Sequence, residues 1–213
     1  MSNWLHHETL HRAPETMARL RGRTVTVCGA GALGSHVLES LARTGVDRLR
    51  VIDFDRVEER NLSTQSYHRG DVGGLKAKLL AGELYRAVGV RVDARPERLR
   101  AENVGKLLAE SELVVDVFDN SGSRRLVTEH CRQEALPCVH AGLAAGYGEV
   151  IWNERYVVPA PTGEDDCDYP LARNLVLLVA SVTAELVLRW LDTGERSSFT
   201  VTLDDLAVRP LEG

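Results

Sequence analysis

The stretch Thr24-Val-Thr-Val-Cys-Gly-Ala-Gly-Ala-Leu-Gly34 joins a short β-branched run to a cluster of glycines. The run before Gly29 favours a strand, and apolar residues at helical spacing begin at Leu33. Gly29, Gly31 and Gly34 lie between these elements, where glycine permits a tight turn and close approach of the backbone to an anion. The N-terminus of the following helix presents unpaired N–H groups to that anion. The stretch therefore predicts a strand, a glycine turn and a helix, with a phosphate site at the turn.

Strands and helices alternate along the segment that surrounds this turn. Short apolar runs indicate strands, and apolar residues spaced along one helix face indicate helices. The expected strands are 24–28, 49–52, 90–94, 113–117 and 137–140. The expected helices are 32–43, 75–88, 102–109 and 121–135. This alternation predicts an α/β fold with a Rossmann-like, doubly wound and mostly parallel sheet.

The pattern changes after Gly142, because two further strand-like runs, 148–152 and 155–158, are separated only by Asn153-Glu154. A connection this short suits a hairpin and leaves no room for a helical crossover. Antiparallel strands are therefore expected at the C-terminal end of the sheet.

The length of 213 residues favours one domain with a substantial core, spanning 1–213. Its expected parts are an N-terminal helical segment at 1–22 with a helix over 6–20, a nucleotide-binding half at 23–141, and a C-terminal part at 142–213. The C-terminal part is expected to contain antiparallel strands, a mobile crossover loop at 160–169, a long apolar helix at 171–191 and a last strand at 199–203. Charged residues interrupt the long helix, so we expect it to be buried and not to span a membrane.

Composition excludes several function classes. The formal net charge is −5, which gives no general attraction to nucleic acid or to anionic lipid. The four cysteines form no Cys-x-x-Cys pair, so no zinc site is expected. The first twelve residues lack the apolar core of a signal peptide, and a cytoplasmic location is therefore expected.

The residues that follow the glycine turn distinguish ATP from other nucleotides. Asp53 ends the second expected strand, where a carboxylate accepts hydrogen bonds from a ribose, but dinucleotide enzymes need the same group. Asn61, Gln65 and Lys76 add side-chain amides and an ammonium group, which suit the outer phosphates of a triphosphate. A nicotinamide-dependent dehydrogenase has no need of them. Each residue also has a structural alternative: the amides as caps of loop backbone, and Lys76 as a solvated helix residue.

The order of these motifs resembles the ThiF/MoeB/HesA family of ubiquitin-like-protein activating enzymes. The family pattern runs from the glycine turn through Asp-x-Asp-x-Val-x-x-x-Asn-Leu-x-Arg-Gln to Val-Gly-x-x-Lys-Ala, and here it covers roughly 23–159. Asp116-Val-Phe-Asp119-Asn120 with Arg124 is a further match. The resemblance implies that Gly29 to Gly34 form the nucleotide cradle, that Asp53 contacts the ribose, and that Lys76 contacts phosphate and takes part in catalysis.

The same resemblance implies roles for the remaining site residues. Asn61 and Gln65 would contact the phosphates, and Asn120 would line the nucleotide site. Asp119 would hold Mg²⁺ and take part in catalysis, although a helix N-cap is the structural alternative for it.

The implied function is ATP- and magnesium-dependent adenylation of the C-terminal carboxylate of a ubiquitin-like or sulfur-carrier protein, followed optionally by thioester or sulfur transfer. The implied assembly is a homodimer. Two alternatives stay open: a non-catalytic nucleotide-binding or scaffold subunit, and adenylation of a small-molecule, peptide or tRNA-base carboxylate.

The chain departs from the family pattern at two points. Thr64 stands where the pattern has a phosphate-binding arginine, and Arg12, Arg60 and Arg69 are candidates to replace it, Arg12 across a dimer interface. The second is the absence of the family's paired zinc-binding Cys-x-x-Cys motifs, so the resemblance implies no structural metal here. The transfer cysteine of the family is harder to place. Cys167 lies in the expected mobile loop and is the candidate acceptor of an acyl group, although neighbouring aspartates disfavour its thiolate. The other cysteines are expected to be packing residues.

Overall fold

The computed structural model describes residues 3–160 and 170–211, which form one eight-stranded sheet with the order β3-β2-β1-β4-β5-β6-β7-β8. The pairs among the first five strands are parallel, and the pairs from β5 onward are antiparallel. The strands are β1 (Val25–Cys28), β2 (Leu49–Ile52), β3 (Asp93–Arg95), β4 (Leu113–Asp116), β5 (Cys138–Ala144), β6 (Tyr147–Trp152), β7 (Phe199–Thr202) and β8 (Ala207–Pro210). The predicted fold class is confirmed.

The α-helices of the described residues are α1 (His6–Arg12), α2 (Pro14–Arg19), α3 (Ala32–Arg43), α4 (Lys76–Val88), α5 (Val104–Leu108), α6 (Ser121–Gln133) and α7 (Arg173–Thr193). Short 3-10 turns occur at Asn3–Leu5, Glu59–Ser63 and Arg69–Asp71.

The helices cover both faces of the sheet. Successive residues of a strand point to opposite faces, and Val27 and Cys28 of β1 accordingly belong to two separate apolar cores. The larger core contains residues of α3, α4 and α7, and the smaller core contains residues of α5 and α6. The central strands are buried on both sides, which explains their continuous apolar sequence.

The N-terminal helix predicted over 6–20 is in fact two helices, and the prediction of one continuous helix is wrong. The break falls at Ala13, which has a φ of 68°, and Pro14 begins α2. Proline disfavours helical conformation in the residue before it. Apolar spacing alone missed this local restriction.

The hairpin predicted around Asn153-Glu154 is misplaced. The strand β6 pairs with β5 through a turn at Ala145-Gly146, where Ala145 has a φ of 51°, and residues 155–158 form no strand. β8, which was not predicted, pairs with β7 after a turn in which Leu206 has a φ of 53°. The predicted change to antiparallel pairing is nevertheless confirmed.

Several other elements differ from their predicted bounds; α6 ends at Gln133 instead of 135, and α7 is Arg173–Thr193 instead of 171–191. β3 begins at Asp93 instead of 90, and α5 starts at Val104 instead of 102. β5 continues to Ala144 because it pairs with β6 along its whole length, which a four-residue prediction could not anticipate.

α7 is the one described helix that is long and apolar enough to cross a membrane by length and composition. In the structure it packs on α3 and on the sheet, and 61% of its most apolar window is buried. Leu175, Val179 and Val187 are fully buried in the larger core. This burial agrees with the prediction of a core helix.

Candidate nucleotide-binding site

The candidate site lies where the strand order of the sheet reverses. β1 is flanked by β2 on one side and β4 on the other, and chain connections leave this point in opposite directions. Ligands of open α/β sheets bind in the crevice outside the carboxyl ends of the strands at such a point. Gly29 follows β1, Asp53 follows β2, and the segment that leads to Asp119 follows β4, so these predicted site residues follow strands that end at this edge of the sheet.

The glycine turn is packed tightly at two of its three glycines. Gly29 has a φ of 106°, and its N–H donates to the carbonyl of Ile52 at 2.9 Å. A Cβ on Gly34 would lie 1.9 Å from the carbonyl oxygen of Gly29, so only glycine fits there. Gly31 differs, because a Cβ there would meet only the Gln65 side chain, at 3.9 Å. The protein leaves open the space in front of Gly31.

The N-terminus of α3 opens onto this space. Gly31 is its N-cap residue, and no side chain of the described residues caps the helix. The first-turn N–H groups of a helix lack intrahelical partners and carry partial positive charge. Tyr67 holds the turn from behind: its hydroxyl donates to the carbonyl of Ala30 at 2.8 Å, and burial raises its pKa so that the proton is retained.

Asp53 organises the junction between the turn and β2. One carboxylate oxygen accepts the N–H of Ala30 at 2.7 Å, and the other accepts the N–H of Asp55 at 2.7 Å. Burial raises the pKa of Asp53, while the Ala30 N–H and the charge of Lys76 act in the opposite direction. The expected ribose partner is therefore also a structural residue of the turn.

Lys76 begins α4 and is 7% exposed. It is therefore not a solvated helix residue, which was the structural alternative for it. Its Nζ lies 3.7 Å from Oδ2 of Asp55, and its charge also acts on Asp53. The exposed neighbour Lys78 points to solvent on the same helix. A nearly buried ammonium group is screened less than one in water and acts strongly on a bound anion.

The side chains of Asn61 and Gln65 differ in which of their polar atoms have a hydrogen-bond partner in the protein. Oδ1 of Asn61 accepts the N–H of Glu58 at 2.9 Å, which is the loop-capping role of its structural alternative, while its Nδ2 stays available. Gln65 is 9% exposed, and its Oε1 has no hydrogen-bond partner within the described residues. A buried acceptor without a partner is costly, so Gln65 fits a position that a ligand or another side chain completes.

The segment after β4 carries Asp119 and Asn120. The side chain of Asn120 accepts the N–H of Ser123 at 2.8 Å, so Asn120, and not Asp119, is the N-cap of α6. Asp119 is exposed, and Oδ1 lies 3.5 Å from Nδ2 of Asn120. Gly29 packs against this segment, because a Cβ on it would lie 3.1 Å from the carbonyl oxygen of Val117.

At this edge of the crevice, a magnesium ion fits only as an ion bound through a single carboxylate. Across 3–160 and 170–211, no three His, Cys, Asp or Glu side chains form a group that could hold a metal ion. Mg²⁺ keeps several waters and is usually bound through one or two carboxylates together with substrate phosphates. The exposed carboxylate of Asp119 suits that mode.

A buried polar network lies beneath the segment after β4. Oδ2 of Asp116 accepts from Nδ1 of His140 at 2.8 Å and lies 3.5 Å from Nη1 of Arg124. Burial alone would raise the pKa of Asp116, but Arg124 and His140 outweigh it and hold this pKa below its usual value. His140 also contacts Oδ1 of Asn153 at 2.8 Å and stacks on Tyr156. The network fixes the strand ends that form the floor of the crevice.

Thr64, which replaces the arginine of the family pattern, is 8% exposed. Its carbonyl accepts a hydrogen bond from Nε2 of His36 on α3 at 2.9 Å. The carbonyl of the preceding residue, Ser63, accepts from Nη1 of Arg173 at 3.2 Å. A neighbouring arginine from α7 therefore contacts the segment in which the family arginine is missing.

The three arginines suggested as replacements lie in different surroundings. Arg12 forms ion pairs with Glu8 and, at 2.7 Å, with Glu185 of α7. Arg60 pairs with Glu58 at 2.8 Å. Arg69 is exposed and forms no ion pair in the described part of the chain. Within one chain, Arg12 is therefore the least available of the three to bind phosphate.

The described cysteines are all buried. Burial raises the pKa of Cys28 and of Cys138 well above the usual thiol value, and Cys131 lies beside them in the smaller core. Thiols with so high a pKa are inert at neutral pH, in agreement with the expected packing role of Cys28 and Cys138. Cys167 lies outside the described residues.

Sequence reasoning missed three residues around the crevice: Tyr67, His36 and Arg173. Each contacts a backbone carbonyl far away in the chain, and 110 positions separate Arg173 from Ser63. Only the position of His36, two residues after the last glycine of the turn, was a signal that could have drawn attention to it.

The fold and the crevice define the class: an α/β protein with a dinucleotide-type glycine turn at the switch point of a mixed sheet. The chain belongs to the ThiF family, whose family model matches residues 8–203.

The chain is similar to several known proteins at moderate sequence identity. The chain is 41% identical over 140 residues to the sulfur carrier protein adenylyltransferase of Thermus thermophilus, covering 64% of this chain and 51% of that protein. It is 37% identical over 132 residues to the SAMP-activating enzyme E1 of Haloferax volcanii, covering 61% of this chain and 49% of that protein. The aligned part therefore spans about half the length of these relatives.

Solved structures share the fold. The crystal structure of E. coli MccB with ATP superposes with a TM-score of 0.81 at 18% identity, covering 100% of this chain and 72% of that chain. The crystal structure of PaaA superposes with a TM-score of 0.74 at 19% identity, covering 93% of this chain and 66% of that chain. At these identities the likeness shows the fold alone.

Proposed function

We propose that the chain is an ATP-dependent adenylyltransferase that activates the C-terminal carboxylate of a ubiquitin-like or sulfur-carrier protein. Membership of the ThiF family and the names of the relatives support this proposal. The observation that carries it is the open cradle at Gly31. A Cβ there would meet only Gln65, at 3.9 Å, so a phosphate can approach the uncapped N-terminus of α3.

In the proposed reaction, a carboxylate oxygen attacks the α-phosphorus of ATP. The bond from that phosphorus to the oxygen bridging the β-phosphate breaks, and pyrophosphate leaves with the electron pair. The first-turn N–H groups of α3 hold phosphate oxygens in line for this displacement. Lys76 offsets the negative charge of the outer phosphates, and its burial limits screening by water.

Other residues orient the nucleotide. Asp53 is positioned to accept a ribose hydroxyl with the lone pairs left free by Ala30 and Asp55. The free Nδ2 of Asn61 and the amide of Gln65 are donors for phosphate oxygens. Asn120 positions its neighbour by capping α6.

Asp119 is our candidate for holding Mg²⁺. Its carboxylate is exposed at the end of β4, beside the glycine turn. When bound, the ion would neutralise charge on the departing pyrophosphate. Asp119 would hold the ion through one carboxylate, with phosphate and water as the other ligands.

A pyrophosphate-exchange assay tests this function. The chain is incubated with Mg·ATP, labelled pyrophosphate and candidate carrier proteins from the same genome. We expect carrier-dependent exchange, abolished in Lys76→Ala and kept in Lys78→Ala, which removes an exposed lysine of the same helix. No exchange with any carrier, combined with measurable ATP binding, would instead support a non-catalytic nucleotide-binding subunit, the alternative that Thr64 favours.

Two further expectations belong to the same proposal. Cys167 is the candidate for a subsequent thioester, and Cys167→Ala separates the steps if adenylation continues while transfer stops.

Homodimerisation is tested by sedimentation velocity, where a monomer at all concentrations would contradict it.

A further inference from the structure

The family pattern places an arginine where this chain has Thr64, so the proposed site has one phosphate-binding cation fewer than that pattern. Thr64 carries no charge, and Lys76, at the start of α4, is the basic residue that the proposed site already contains. A guanidinium group is the side chain best matched to phosphate, because its forked donors bind two oxygens at once. Rapid adenylation by this chain therefore calls for an arginine from elsewhere. This reasoning rests on the proposed function.

Arg173 lies against the segment where that arginine is missing. Its Nη1 donates to the carbonyl of Ser63 at 3.2 Å, directly before Thr64. Its charge also reaches the His36 ring of α3, which contacts Thr64. Arg173 is thus held beside the second turn of the helix whose first turn forms the phosphate cradle.

The guanidinium group of Arg173 has donors to spare. It is exposed, and the described carboxylates form no ion pair with it. A guanidinium group has five N–H donors, of which the Ser63 carbonyl takes one. Arg12 and Arg60, by contrast, are paired with glutamates.

In the described part of the chain, a buried acceptor without a partner lies close in sequence to Ser63, on the residue whose amide nitrogen faces the cradle. Gln65 follows two residues after Ser63, and its buried Oε1 has no hydrogen-bond partner among the described residues. Its Nε2 faces Gly31. Gln65 thus connects the segment that Arg173 contacts to the glycine cradle.

We propose that Arg173, at the first turn of α7, supplies the outer phosphates of ATP with the guanidinium group that the family pattern provides from position 64. The group moves by rotation of its own side chain, and no covalent step is involved. Arg173 would thus act from a helix that packs on α3, and not from the loop after β2.

Calorimetric titration with Mg·ATP and, separately, with AMP tests this role. Arg173→Ala should weaken ATP binding by about 10-fold to 100-fold, the usual effect of losing a charge-assisted hydrogen bond, and leave AMP binding unchanged. Thr64→Arg added to Arg173→Ala should restore ATP affinity. Arg189→Ala, on an exposed turn of the same helix, is the matched control, and Arg69→Ala tests the rival arginine.

Each outcome has a definite meaning. Unchanged ATP affinity in Arg173→Ala overturns the proposal, as does a loss carried by Arg69→Ala alone. A parallel loss of ATP and AMP affinity also overturns it, because it marks a structural role. Absence of ATP binding by the unaltered chain overturns the proposed function along with it, whereas ATP binding that Arg173→Ala leaves intact overturns only this inference.

Discussion

Gly34 packs so closely on Gly29 that a Cβ at Gly34 would lie 1.9 Å from the carbonyl oxygen of Gly29. The contact holds the first turn of α3 against the end of β1. Gly34→Ala must therefore push the helix away from the strand, and we expect it to lower the free energy of unfolding by at least about 2 kcal/mol. Urea denaturation measures this, with Gly70→Ala as the control because a Cβ at Gly70 meets no atom within 4 Å. Equal stability of the two variants would contradict the account.

Gly31→Ala should behave differently from Gly34→Ala. Its Cβ has room in the protein, so the free energy of unfolding should change by less than about 1 kcal/mol. The same methyl group occupies the proposed phosphate cradle, so Mg·ATP affinity should fall about tenfold or more. Calorimetry and urea denaturation on one preparation separate the two effects. Unimpaired ATP binding would show that phosphate does not lie at Gly31.

Asp116→Asn should strongly destabilise the fold. The substitution leaves the buried guanidinium group of Arg124 without its countercharge, which costs about 3–5 kcal/mol in buried pairs, and it replaces the carboxylate that Nδ1 of His140 contacts. Glu39→Gln, which breaks the partly exposed pair with Arg43, should cost about 0.5 kcal/mol or less. The two urea midpoints give the comparison, and a small loss in Asp116→Asn would mean that the network contributes little.

The stability of the protein should depend on pH through His36. Burial, and secondarily the charge of Arg173, hold the pKa of His36 below its usual 6.5, although the Thr64 carbonyl and Glu39 act in the opposite direction. The unfolded chain therefore binds a proton at a higher pH than the folded chain. The free energy of unfolding should rise with pH between the folded-state pKa and 6.5, and this increment is lost as the pH falls through that window.

His36→Gln removes that increment. Urea denaturation of both proteins between about pH 5 and pH 7 isolates it as the difference between their slopes, since the other groups are shared. Identical slopes would contradict the shifted pKa of His36.

The sequence predicted the central features of the fold because they are local. A strand, a glycine turn and a helix follow one another within Thr24 to Arg43, and the alternation after them dictates a parallel sheet. The hairpin was misplaced because its turn uses Ala145 at positive φ, which carries no turn signature, whereas Asn153-Glu154 resembles one.

The candidate site was only partly predictable, because only some of its residues lie close together in the sequence. Lys76 and Gln65 belong to a contiguous motif, and their burial beside the turn agrees with a ligand role. The contact between Arg173 and Ser63, and that between His140 and Asn153, depend on how distant segments pack. A motif read along the chain carries no information about such pairs.

Intact-mass measurement of the carrier protein tests the central claim most directly. A carrier protein from the same genome, ending in glycine, is incubated with the chain and Mg·ATP and compared with a version lacking that glycine. We expect the full-length carrier to gain the mass of an adenylate, the truncated carrier not to gain it, and Lys76→Ala to abolish the gain. ATP binding without any adenylate on the carrier would contradict this claim.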